Sequence, residues 1–363
     1  MTKNVAFLLP SLRAVSPIKA AAFIANKLNS LGYNVVVISL TDEISDSVTL
    51  NKDIKLYTLG VRNWFLSLMC LSELGKILEN ENSRVCFSFL LPADFILSLS
   101  NSNIIKIAVM RDILETSFAS RGGFFSIPIV RSLVKKIQAL YLRRFDNVVA
   151  MTQDMRDYYR SILTIDPILI HNFLDENSTL STTSSMVDFS PYRAEFNICV
   201  VGSLIPRKSI GEMLDFVETC FDKGLMLNLH VIGDGPLKNE LIFKKDSLKL
   251  SSDNIIFHGH LDSPLNLIGL MDCYWSNSMS EGLSRAMMEA CFLGVPCVVR
   301  KIEGINEFQQ ACSGVYMYKN IEECFDLFRS LNSDSSYVET KLGDEYREKN
   351  CIHKYDLLLR NFF

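Results

Sequence analysis

Short runs of apolar, largely β-branched residues recur along the chain with helical patterns between them, and this alternation constrains the fold more than any other feature. In the first half the runs are Val5–Leu9, Val35–Leu40, Val85–Phe89, Ile104–Val109, Asn147–Met151 and Ile168–Ile170. Each reads as a buried parallel strand. A second series follows at Phe196–Gly202, Asn228–Ile232, Ile255–Phe257, Cys273–Trp275, Pro296–Val299 and Gly314–Met317. Two such series predict an α/β protein with two doubly wound, Rossmann-like domains. Between them, Asp175–Ser185 is a Ser/Thr-rich polar stretch without apolar periodicity, the composition of a linker. The expected organisation is a first domain at 1–174, a linker at 175–195, a second domain at 196–345 and a terminal helix at 346–363 that can pack back on the first domain.

A length of 363 residues suffices for two such domains with full cores, and 48% hydrophobic with 21% charged residues is an ordinary globular balance. A net charge of -4 argues against nucleic acid as a partner. The ten cysteines are scattered, form no C-x-x-C pair and fall in apolar runs such as those holding Cys199 and Cys297, so they read as reduced core residues of a cytoplasmic protein. No signal peptide is expected, because Met1–Asn4 leads straight into the first strand. The longest apolar stretches, Phe87–Leu99 and Trp64–Leu74, are interrupted by Pro92 and Asp94 or by Glu73. Neither reaches the ~18 residues of a membrane span. The expected location is cytoplasmic, including the inner face of the membrane as a peripheral protein.

The candidate chemistry centres on Ser280–Ala290, where seven residues separate Glu281 from Glu289. Gly294 and Pro296 follow, and then an apolar strand, so a helix must begin after Glu281 and end before Gly294. With Ser284 as N-cap, Glu281 lies in the loop and Glu289 inside the helix, both able to line a pocket at the helix mouth. Backbone N–H groups of Gly282, Leu283 and Ser284, with the positive end of the helix dipole, would favour an anion there. Phosphate at the N–H groups and hydroxyls on the carboxylates would suit a nucleotide sugar. An ordinary surface helix with two solvated glutamates is the alternative.

Other signals surround it. Gly202-Ser203-Leu204-Ile205-Pro206-Arg207-Lys208 places two cations between a strand and an amphipathic helix carrying Met213, Leu214, Val217, Cys220 and Phe221. Gly233-Asp234-Gly235-Pro236 is a tight turn after a strand, Phe257–Leu261 is a second strand end, and Gly304-Ile305-Asn306-Glu307 opens a later helix. Taken together and in this order, these residues resemble the donor-binding half of retaining GT-B glycosyltransferases of family GT4, whose E-x7-E signature matches Glu281 and Glu289.

The resemblance implies two Rossmann-like domains facing a central cleft. It assigns Glu289 to ribose hydroxyls, Glu281 to the donor sugar, the backbone of Gly282, Leu283 and Ser284 to the diphosphate and sugar, and Lys208 to the family's phosphate-binding lysine. Gly202 and Ser203 stand in the same G-R-L-x-x-x-K-G element, whose arginine is here Ser203; Arg207 can supply that charge. Phe257–Leu261 resembles the nucleobase edge, with Leu261 and His260 as lining candidates, although His260 can equally be a surface histidine.

The first half matches less closely. Val15 and Ser16 replace the glycines of a loop that touches donor phosphate and acceptor in many relatives, leaving Ser16 as a donor of a hydrogen bond. Asp94, Arg111 and Asp112 follow strands at their carboxyl ends and are the acceptor-side candidates, with helix capping and ion pairing as the alternative. No histidine precedes His171, so the family's sugar-contacting histidine is missing, and His171-Asn172 reads as structural. Between 121 and 145, Arg121, Arg131, Lys135, Lys136, Arg143 and Arg144 are interleaved with apolar residues and no acid. Such a segment either packs its apolar stripe on the sheet or lies on an anionic membrane.

What the resemblance implies is a metal-independent hexosyltransferase without a cofactor, taking a nucleotide-diphosphate sugar and extending a lipid-linked oligosaccharide in surface polysaccharide synthesis of the O-antigen or capsule type. Front-face displacement, with Arg207 and Lys208 on the leaving diphosphate, is the expected route. A non-catalytic GT-B partner subunit, and a GT-B-like sugar-nucleotide epimerase or hydrolase, are the competing readings.

Overall fold

The computed structural model describes residues 3–62, 68, 70–101, 103–115, 127–176, 196–251, 253–261, 263–302, 304–333 and 339–363. Residues 177–195 of the expected linker and 121–126 of the basic segment lie outside these. The chain divides into two compact units, one of Met1–Phe118, Ile127–Asn172 and Lys349–Phe363, the other containing Phe173–Glu348.

In the first unit, β1 (Asn4–Leu9), α1 (Ser16–Ser30), β2 (Asn34–Ser39) and β3 (Lys55–Thr58) are followed by α2 (Leu71–Asn80), β4 (Val85–Phe89), α3 (Leu91–Leu99) and β5 (Ile105–Val109). Then come α4 (Pro128–Leu142), β6 (Asn147–Ala150), α5 (Gln153–Ile162) and β7 (Ile168–Leu169). The strands form a seven-stranded sheet in the order β3-β2-β1-β4-β5-β6-β7, with parallel pairing throughout. Strand β3 was not apparent as an apolar run because Lys-Leu-Tyr-Thr sits at the edge, largely exposed.

One face of this sheet packs Ala6, Leu8, Ile38, Cys86 and Ala108 against α2, α3, α4 and α5. Helix α1 stands apart from this cluster and buries Ile18, Ala21, Ala25 and Leu28. The chain returns to this unit through its last helix, in which Asp356 Oδ1 accepts a 2.8 Å hydrogen bond from the buried Tyr33 hydroxyl. Tyr355 of the same helix meets Phe87 of β4 edge to face, with ring centroids 5.9 Å apart.

The second unit runs β8 (Phe196–Val201), a 3-10 turn (Pro206–Lys208), α6 (Ile210–Asp222), β9 (Leu227–Ile232), α7 (Lys238–Ser247), β10 (Ile255–Gly259) and α8 (Leu265–Ile268). It continues with β11 (Cys273–Ser276), α9 (Arg285–Phe292), β12 (Cys297–Arg300), α10 (Ile305–Ala311), β13 (Val315–Tyr318) and α11 (Ile321–Ser333). A second 3-10 turn (Asp344–Tyr346) precedes the returning helix, α12 (Glu348–Arg360). The six parallel strands lie in the order β10-β9-β8-β11-β12-β13. Alternate residues feed two cores: Ile198, Val200 and Trp275 toward α6 and α11, and Cys199, Tyr274 and Val299 toward α9 and α10. The ten cysteines are free and buried.

One carboxyl group is built into the first core. Asp94 of α3 is fully buried, its Oδ1 accepts a 2.6 Å hydrogen bond from Ser88, and Oδ2 has no partner among the described residues. Burial pushes its pKa up to about 8, against the Ser88 hydrogen bond and with help from Asp112. The folded state therefore keeps a proton that the unfolded chain loses near its ordinary 3.8, so this residue's contribution to stability falls as pH rises toward about 8 and then levels off. Asp94→Asn keeps the acceptor for Ser88 and removes the ionisation. Its gain in Tm over wild type is expected to be larger at pH 8.5 than at pH 6; a difference independent of pH would show that the buried carboxyl does not titrate.

Candidate functional site

At the carboxyl end of the second sheet, three glycine turns lie side by side. Gly202, at the end of β8, has φ +153°, and a Cβ there would fall 3.0 Å from Lys208 Cε. Gly233, after β9, has φ +146°, and its Cβ would sit 1.9 Å from the Gly202 carbonyl oxygen. Only glycine fits such backbone-to-backbone contact. The turns are also hydrogen-bonded: Gly202 N donates to Ile232 O at 2.9 Å, Leu204 N to Asp234 O at 3.0 Å and Gly233 N to Gly259 O at 2.7 Å.

From this rim the 3-10 turn carries Arg207 and Lys208 toward the loop before α9. Lys208 is buried, and its Nζ donates to Glu281 Oε1. Arg207 Nη1 donates to the Ser280 carbonyl and lies 3.7 Å from the same Glu281 oxygen. Arg207 O accepts from Met279 N at 2.9 Å, so backbone and side chains both tie the two loops together. Burial pushes the Glu281 pKa up, but Lys208, Arg207 and a hydrogen bond from Ser278 outweigh it and hold the carboxyl below its ordinary value. The site thus places two cations and one carboxylate around a single point.

Ser284 is the N-cap of α9, its Oγ accepting from Met287 N at 3.4 Å. The cap meets one of the helix's unpaired donors, and the dipole's positive end faces the Glu281–Gly282 loop. A small pocket here is lined by Ser276, Glu281, Gly282, Ser284, Arg300 and Ile302. The Leu283 side chain is buried in the apolar cluster with Met287, so its side chain serves the core. Glu289 lies on the second turn of α9, largely buried, and accepts a 3.0 Å hydrogen bond from Arg285 Nε. Arg285 was not singled out from sequence, although its i,i+4 spacing to Glu289 is the signal for such a pair. Arg300, also missed, pairs with Glu212 at 3.2 Å.

Of the remaining second-unit candidates, Ser203 is exposed on the rim, His260 is exposed near Asp234, and Leu261 is half-buried against the apolar cluster. Gly304, with φ +81°, is the N-cap of α10. In the first unit Ser16 opens α1 and is exposed, while Asp94 is the buried carboxyl described above. Arg111 donates to Asn172 Oδ1 at 3.0 Å, the Asp112 carbonyl accepts from Tyr159 at 2.8 Å, and His171 Nδ1 meets Met151 O at 2.8 Å. Arg111 and Asp112 are both half-buried.

With this geometry in view, residues 187–349 match the family model described as glycosyl transferases group 1. The O-antigen biosynthesis glycosyltransferase WclY of Escherichia coli is 26% identical over 254 residues, covering 66% of this chain and 69% of the relative. A UDP-Gal:alpha-D-GlcNAc-diphosphoundecaprenol alpha-1,3-galactosyltransferase of the same organism is 26% identical over 116 residues, covering 31% of this chain and 30% of the relative. The crystal structure of Anabaena Alr3699/HepE in complex with UDP and glucose superposes with a TM-score of 0.72 at 15% identity, covering 100% of this chain and 96% of that one. The fold is GT-B, and residues 187–349, which carry Lys208, Glu281 and Glu289, match the glycosyl transferases group 1 family model.

Proposed function

We propose that the protein is a retaining GT-B enzyme of family GT4 that transfers a hexose from a nucleotide-diphosphate sugar to a lipid-linked oligosaccharide during synthesis of an O-antigen or capsule-type polysaccharide. The observation that carries this reading is the cluster of Lys208, Arg207 and Glu281 at the capped mouth of α9, within the residues that match the glycosyl transferases group 1 family model. O-antigen biosynthesis by one Escherichia coli relative and transfer to a diphosphoundecaprenol-linked sugar by the other support the pathway and the lipid-linked acceptor.

In this reading the donor diphosphate replaces Glu281 as the partner of Lys208, and Glu281 turns to the hydroxyls of the donor sugar. Glu289, oriented by Arg285, accepts from the ribose. As the anomeric carbon–oxygen bond breaks, negative charge grows on the β-phosphate, where Lys208, Arg207 and the α9 dipole stabilise it. That oxygen takes the proton of the acceptor hydroxyl as the hydroxyl oxygen forms the new glycosidic bond on the same face. The charge is met by side chains and backbone, so the proposal requires neither metal nor cofactor.

Helix α4 supports work at the inner face of a membrane. Ala139, Tyr141 and Leu142 face the core, while Ile129, Leu133, Ile137 and Leu140 point outward, Ile129 and Leu140 being 77% and 68% exposed. The helix is therefore apolar on both sides, and exposed Lys136, Arg143 and Arg144 flank the outward stripe. An apolar stripe beside cations suits an anionic lipid surface. No helix among the described residues is long and apolar enough to cross a membrane.

Two measurements follow. Lys208→Ala should lower kcat by about 10²-fold with nucleotide affinity changed less, whereas Glu289→Ala should weaken nucleotide binding by roughly tenfold; unchanged kinetics in the lysine variant would refute its role. Vesicles containing phosphatidylglycerol should bind wild type and release the double variant Leu133→Glu, Ile137→Glu, while neutral vesicles bind neither. Equal binding of both proteins would remove α4 from the membrane contact.

A further inference from the structure

A polar ladder runs through the second sheet beneath the glycine rim. Asn254 Nδ2 donates to Asn228 Oδ1 at 3.3 Å, and Asn228 Nδ2 donates to Asn197 Oδ1 at 3.2 Å. His230 of β9, fully buried, approaches the same Asn197 oxygen through Nε2 at 3.2 Å. An amide oxygen only accepts, so His230 carries its proton on Nε2 and its Nδ1 is left as an acceptor. That Nδ1 lies 2.9 Å from His258 Nε2, which must then donate. The tautomers of both rings are fixed by the ladder, and protonating His230 would set two N–H groups face to face. Burial, reinforced by His258, accordingly pushes the His230 pKa down to about 4, and burial lowers that of His258.

The place of His258 gives this pair its consequence. The register of β10 on β9 runs Ile255–Leu229, Ile256–His230 and Phe257–Val231, then passes over His258 to Gly259–Ile232. An extra residue of this kind re-aims the chain beyond it. β10 is an edge strand, so among the described residues no further strand holds the irregularity from the other side. Directly after it, Gly259 has φ +71° and its carbonyl receives Gly233 N, and Gly233 abuts Gly202 beside Lys208.

We propose that the His230–His258 hydrogen bond is a positioning element of the donor site, setting the irregularity in β10 so that Gly259–Leu261 and the adjoining glycine turns stand in register for the nucleotide. The inference rests on the reading of Phe257–Leu261 as the nucleobase edge. His258 and His230 touch no substrate; they act through the backbone of the rim. Glutamine at 258 can donate to His230 Nδ1, and leucine cannot.

The test uses the full chain, with UDP, GDP and ADP as binding probes and hydrogen exchange read without ligand. His258→Leu should raise exchange at 257–261 and Gly233, leave β8 and β11 protected, and weaken the preferred diphosphate about tenfold, with kcat at saturating donor changed less than twofold. His258→Gln should restore both exchange and affinity toward wild type. Wild-type-like exchange in His258→Leu, an increase spread through the whole unit, or a glutamine variant as impaired as leucine would overturn the proposal. If wild type binds none of the three diphosphates, the donor-site reading fails, and with it the nucleotide role of the pair, whatever the exchange shows.

Discussion

The second unit's loops are tied together by a largely buried ion pair, Lys208 with Glu281. Taking an ammonium and a carboxylate out of water costs several kcal/mol each, and a pair of well-packed apolar side chains would often be as stable. In the proposed donor site, the pair holds a cation at a point where a helix dipole already favours negative charge. Gly202 makes room for the lysine stem, the 3-10 turn aims the head, and the bond from Met279 N to Arg207 O fixes the distance between the two loops. With Glu281 in place, one of the two positive charges is balanced, and the site keeps a net positive charge for the diphosphate of the proposed donor. A diphosphate brings more negative charge to the same point than one carboxylate does.

That arrangement needs the loops at the carboxyl ends of β8, β9 and β10 to lie closer together than side chains allow. Glycine at 202, 233 and 235 solves this by stacking backbone on backbone, since a Cβ at Gly235 would fall 2.6 Å from Leu204 N. The hydrogen bonds between these turns satisfy donors that would otherwise face a crowded rim. Parallel strands direct all their carboxyl ends to one edge, so short loops from strands far apart in sequence meet there. The loop before α9 reaches the same edge from the end of β11, which brings position 208 beside position 281.

Much of this was legible in the chain. The apolar runs mark twelve of the strands, because buried parallel strands need continuous apolar sequence. Ser284 as cap and Gly304 at the start of α10 were readable from local chemistry alone. The exposed edge strand β3 was hidden by its polar composition. Asp94 looked like a ligand group at a strand end, yet its carboxyl turns into the core to meet Ser88, a choice made by the packing of α3 that no local signal records. Arg285 and the His230–His258 pair were missed for different reasons: the first had a helical spacing that pointed to it, while the second depends on an irregularity in strand register. The stripe on α4 was seen, but sequence could not say which of its apolar faces the sheet would take.

The central claim is that Lys208, Arg207 and the mouth of α9 form a diphosphate site. Thermal melting with matched nucleoside mono- and diphosphates tests it directly. The account predicts that at least one of UDP, GDP or ADP raises Tm and that the corresponding monophosphate raises it clearly less, because the β-phosphate is the group that meets the cations. Equal shifts from the two phosphorylation states, or no shift with any of the diphosphates, would contradict it.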